Sequence, residues 1–131
     1  MGVAPEDIGE QDSVLAGAVD IEGQSVNRAK YNSDPAAVVS AERGEVAAAG
    51  VQPTNLPPLA AGPTGVEYFF HADDLPEEEK PAHAEIRVHR PGKGWNKNHK
   101  PNAASRTWLK ELLARRLKIV HRVASPFQPV A

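Results

Sequence analysis

The chain has 131 residues, 40% of them hydrophobic but only 5% aromatic, with no cysteine and a formal net charge of −2. That balance hides a polarity: residues 1–65 carry nine carboxylates against three bases, residues 66–79 add six carboxylates and no base, and residues 80–131 hold twelve Lys/Arg against Glu85 and Glu111. Disulfide staples and thiolate zinc sites are excluded, and fields of opposite sign on one chain point to partners rather than to a particular fold.

The first residues, MGVAPEDIGE, have neither the basic start nor the apolar run of a signal peptide. No stretch reaches the roughly 18 apolar residues of a membrane span. The expectation is a cytoplasmic or virion protein that is not secreted by a signal peptide and does not enter a membrane.

Residues 1–33 show no sustained periodicity. Val14, Leu15, Val19 and Ile21 are interrupted by Gly9, Gly17 and Gly23, each costing about 1 kcal/mol in a helix, so the segment reads as an extended arm. Ser33-Asp34-Pro35 is a helix start, because Asp34 can cap free amides and Pro35 loses no hydrogen bond in the first turn. A short helix is expected over Pro35–Ala49, ending at Gly50, with a thin stripe of Val38, Val39 and Val46. Residues 50–65 contain four prolines and three glycines and read as a linker. An arm of this composition buries too little to order itself, which suggests that neighbouring chains hold it.

From Val66 the pattern changes. Val66, Tyr68 and Phe70 alternate with Glu67, Phe69 and His71, and Ala84, Ile86 and Val88 alternate with His83, Glu85, Arg87 and His89, which predicts two strands around an acidic turn at Ala72–Pro81. Arg90–Pro101 reads as loop. Asn102 or Ser105 can cap a helix running to about Arg116, with Trp108, Leu109, Leu112 and Leu113 on one face. Leu117–Val123 can extend that helix or form a strand. The strand is favoured, since a continuous helix would spread apolar residues over half its circumference. The fold class is therefore α+β: an extended Pro/Ala/Gly-rich arm and linker over 1–65 with one short helix, then a small β-β-α-β domain over 66–131.

The candidate partner-binding residues are Arg90, Lys93, Trp95, Lys97, Lys100, Arg106 and Lys110. Cations around an exposed aromatic suit either phosphate with base stacking or an acidic protein surface. His71, Asp73 and Asp74 near one strand end, and His83, Glu85 and His89 on a strand face, could supply metal ligands, but their spacing constrains no geometry. His83-Ala84-Glu85 copies half of a zinc-deaminase signature whose Pro-Cys-x-x-Cys half a cysteine-free chain cannot supply. Asn96, Asn98, His99 and Asn102, with His89, do not meet the separations of a His-Asn-His nuclease. Neither a phosphate loop nor a nucleophile elbow occurs. No catalytic, metal or cofactor residue is assigned. The expectation is a non-enzymatic structural or interaction subunit of a larger protein assembly, such as a virion component, in a homo- or hetero-oligomer; the alternative is a small nucleic-acid-binding adaptor using the basic C-terminal half.

Overall fold

The computed structural model describes residues 1–28, 34–75, 82–93 and 100–123. Its class is α+β, with two antiparallel sheets, one α-helix and several 3-10 turns. In chain order the strands are β1 (Gly2–Val3), β2 (Gln24–Asn27), β3 (Ala47–Gly50), β4 (Ala60–Ala61), β5 (Glu67–Asp74) and β6 (His83–His89), followed by helix α1 (Ala103–Arg116) and β7 (Lys118–Arg122). One sheet has the order β1-β3-β7 and the other β2-β6-β5-β4.

The second half follows its hydrophobic alternation. Tyr68 and Phe70 of β5 are buried, as are Ala84, Ile86 and Val88 of β6, while the residues between them face outward. β5 runs on through Asp74, past the point where the turn was expected to begin. The rest of that expected turn, residues 76–81, lies outside the described residues. Asn102 caps α1, its side chain accepting from the Ser105 amide at 2.9 Å. Arg115 and Arg116 close the helix, where cations favour the negative end of its dipole. Leu109 and Leu113, four residues apart, are fully buried, whereas Trp108 and Leu112 of the predicted face are only partly so. Trp108 instead lies over Gly62, where a Cβ would sit 3.2 Å from its ring. After the helix the chain turns into a strand, as favoured. β7 then joins β3 while β5 and β6 lie in the other sheet.

The first half departs most from expectation. Its start signal at Asp34 operates, with the carboxylate accepting from the Ala36 amide at 3.0 Å. The predicted helix over Pro35–Ala49 nevertheless stops after one 3-10 turn, Pro35–Val38, and a second, Ala41–Arg43, closes on Gly44 in the left-handed region at φ 73°. Ala47–Gly50 is a strand. Helix propensity loses there because β3 is the middle strand between β1 and β7, and alanines let both neighbours approach. Glu45 anchors the same corner: its Oε1 accepts from the Ser40 amide at 2.8 Å and fills the space where a Cβ on Gly2 would stand.

Residues within 1–28 and 34–65, expected as arm and linker, also contribute to the core. Met1, Val3, Val14, Val19, Ile21, Ala47 and Ala49 share one hydrophobic cluster with Tyr68, Phe70, Ile86, Val88, Leu109, Leu113 and Leu117. Val51, Leu56 and Val66 pack against it, and Ala60–Ala61 pairs with β5. The first-half residues reach the core through irregular backbone satisfied by local 3-10 bonds and by long-range bonds such as Val88 N–H to Ile21 O at 3.1 Å. Full burial of a side chain such as Ile21 contributes about 1.5–3 kcal/mol whether or not its backbone is regular.

Candidate functional site

Folding brings the two charge regions together. Glu22 of the acidic half takes Lys100 Nζ at 3.5 Å and Arg106 NH2 at 3.4 Å, and Asp12 takes Arg122. Two predicted partner-binding residues, Lys100 and Arg106, therefore meet on a carboxylate of their own chain. These pairs are partly exposed, so each contributes at most about 1 kcal/mol, but they reduce the positive field that the sequence suggests. Arg90 and Lys93 belong to the turn after β6, where the Lys93 amide donates to Arg90 O at 3.0 Å, and Lys110 stands on α1 one turn beyond Arg106. Trp95 and Lys97 lie outside the described residues.

A second cationic feature has no counterpart among the residues predicted from sequence. Arg115, Arg116, Lys118 and Arg122 are exposed along the end of α1 and β7, and between and beside them Val120 is 60% exposed and Val123 49%. The pairing of β3 with β7 shifts between Ala48 and Ala49, so Val120 is the extra residue of a bulge. Bulges and lysines on an edge oppose open-ended strand addition while leaving side chains available. The alternation Lys-Ile-Val-His-Arg held a signal for the outward lysine and arginine, but nothing in it marks the bulge.

The outward face of the β2-β6-β5-β4 sheet carries the other concentration of chemistry. Register sets Phe69 opposite His89, His71 opposite Arg87 and Asp73 opposite Glu85. The Asp73 carboxylate accepts from His71 Nδ1 at 2.7 Å and from His89 Nε2 at 2.9 Å. Arg87 donates twice to Glu85, at 3.0 and 2.8 Å, and its NH1 stays 3.9 Å from Asp73. The His89 ring stacks on Phe69, with centroids 5.4 Å apart, and meets His71 edge-on at 5.6 Å. Of the metal candidates named from the sequence, His71, Asp73 and His89 come together, each offering one ligand atom within 4.8 Å of the others. Glu85 is turned to Arg87, and Asp74 to Arg28.

His83 is engaged elsewhere. Its Nδ1 donates to Leu75 O at 3.1 Å, which leaves Nε2 to accept from Ser25 Oγ at 3.2 Å. A hydroxyl beside an imidazole is half of a nucleophilic pair, and here the ring is oriented in part by the Leu75 carbonyl. Among the described residues no helix is long and apolar enough to cross a membrane. Comparison of the chain with protein families, curated proteins and solved structures finds no match, so function must be read from these surfaces.

Proposed function

We propose that this chain is a non-enzymatic structural or interaction subunit of a larger protein assembly, docking through the outer face of β7 and the end of α1. The observation that carries this reading is the pair of exposed valines, Val120 and Val123, set among Arg115, Arg116 and Lys118, with Arg122 alongside in its pair with Asp12. An apolar patch ringed by cations matches a partner surface with an apolar centre and an acidic rim. Burial of the valines would supply affinity, and the charges would govern encounter and register.

The nucleic-acid reading has less support. Glu22 sits against Lys100 and Arg106, where phosphate would be repelled, and the β7 cations flank aliphatic side chains rather than an aromatic stacking surface. What favours it is that Arg90, Lys93 and Lys110 stand on the described surface without a carboxylate among the ion pairs found there.

The native mass of the particle containing this chain, measured with and without nuclease, tests the proposal. The expected result is a particle much heavier than 14.1 kDa that survives nuclease and is disrupted by Val120→Asp combined with Lys118→Glu. A particle that collapses with nuclease would favour the adaptor, and a 14.1 kDa monomer under native conditions would contradict both readings.

A further inference from the structure

We infer that His71, Asp73 and His89 form a binding site for one divalent late first-row transition metal ion of the zinc class, with an open coordination position toward solvent. The site lies on the opposite sheet from β7 and stands independently of the assembly reading.

The donor set comes first. Two imidazole nitrogens and one carboxylate oxygen match the borderline ligands that zinc, cobalt and nickel prefer, and they exclude the all-oxygen cage of calcium or magnesium. The geometry agrees. His71 Nδ1 and His89 Nε2 both direct an N–H at Asp73, so the lone pairs of their other tautomers face the same carboxylate, and the three ligand atoms lie within 4.8 Å of one another. A cation placed there replaces two N–H hydrogens, and each ring then carries its hydrogen on its other nitrogen. Tetrahedral coordination at about 2.0–2.2 Å separates ligand atoms by about 3.4 Å. Opening the 2.7 and 2.9 Å contacts to that spacing asks for about 0.5–0.7 Å, within the reach of side-chain rotations.

The surroundings favour occupancy. Arg87 competes for Asp73 through an ion pair at 3.9 Å, longer than the 3.0 and 2.8 Å bonds it gives Glu85. Asp73 and His89 have side chains only 20% and 15% exposed, which limits screening by water, and the ring of Phe69 braces His89 from one side. His71, with a side chain 63% exposed, marks the solvent side, where the remaining coordination position takes water or a donor from another molecule. The ligands span β5 and β6, so metal would tie together two strands already paired by backbone bonds. It should therefore add stability without being required for folding.

The test uses the full chain, freed of metal with a chelator and titrated with Zn²⁺ alone and then with Co²⁺. One Zn²⁺ per chain is expected, with a thermal midpoint that rises with Zn²⁺ and visible Co²⁺ bands of low-symmetry coordination. His71→Gln changes an exposed side chain, so it should leave the metal-free midpoint in place while weakening Zn²⁺ by at least about tenfold and removing the Co²⁺ bands. Asp73→Asn should do the same, and His121→Gln, on β7, should not. The inference is overturned if the wild-type chain takes up no stoichiometric Zn²⁺. It is equally overturned if His71→Gln binds as tightly as wild type, or if His121→Gln alone abolishes binding.

Discussion

Residues 1–65 and residues 66–123 contribute to one core by different means, and the contrast shows that burial and regularity are separate properties. In the later stretch, β5, β6 and α1 deliver Tyr68, Phe70, Ile86, Val88, Leu109 and Leu113 at the periods of strand and helix. In the earlier one, Met1, Val3, Val14, Val19 and Ile21 arrive from two-residue strands and 3-10 turns at spacings that match no period. Hydrophobic free energy depends on area removed from water and not on the backbone that presents it. The earlier stretch gives up most regular ladder bonding and compensates with backbone bonds across the molecule, such as the Val46 and Ala49 amides to Val3 and Met1 carbonyls at 2.9 and 2.8 Å.

The largest effect that could break this comparison is removal of the first stretch. Residues 66–131 made alone should show no cooperative thermal transition, because β7 loses β3 and the buried leucines of α1 lose Val3, Val14, Val19 and Ile21 from their cluster. A sharp unfolding transition in that fragment would show that the later stretch is self-sufficient. Next in size, Ile21→Ala and Leu113→Ala should each cost about 2–5 kcal/mol, since both side chains are essentially inaccessible. Denaturant titrations that leave Ile21→Ala unperturbed while Leu113→Ala is destabilised would separate the two stretches energetically.

A third effect sharpens the comparison at its first residue. In a chain that begins at Met1, the amine donates to Ala49 O at 2.8 Å, and burial lowers its pKa from 8.0 to about 6 against a smaller opposing pull from Glu45. The unfolded state then binds more protons between those values, so stability should rise with pH from about 6 to about 8. Two pKa units correspond to about 2–3 kcal/mol as an upper figure. Chemical unfolding across that window, on protein whose mass confirms that Met1 is retained, checks the sign; stability falling with pH would contradict it. The smallest effect belongs to the charge contact between stretches. Glu22→Gln should change stability by less than about 1 kcal/mol while making the surface around Lys100 and Arg106 more positive, which the salt dependence of polyanion binding would register.

The same contrast explains what could be read in advance. Alternation from Tyr68 to Phe70 and from Ala84 to Val88 marks β5 and β6, Asn102 marks the start of α1, and β-branched residues from Ile119 favour a strand over a longer helix. The partners of these elements are not local properties. Ala47–Ala49 carries helix-forming residues, and only strands arriving from residues 2–3 and 118–122 make it β. The candidate metal site was legible in its residue types but not in its grouping. His71 and Asp73 share a strand with Asp74, and His89 shares one with His83 and Glu85, so which three converge depends on register and on Arg28, Ser25 and Arg87 occupying the others. The cation Lys100 was found from composition, yet its engagement with Glu22, 78 positions away in the chain, was not.

Native-state amide hydrogen exchange on the full chain tests most directly the claim that both stretches share one core. The amides of Val46 and Ala49 should be protected to within about tenfold of the slowest amides in β5 and β6, a free-energy difference of about 1.4 kcal/mol. If residues 1–65 exchange at the rate of an unstructured chain while residues 66–123 stay protected, the first stretch is an arm after all and the two do not share a core.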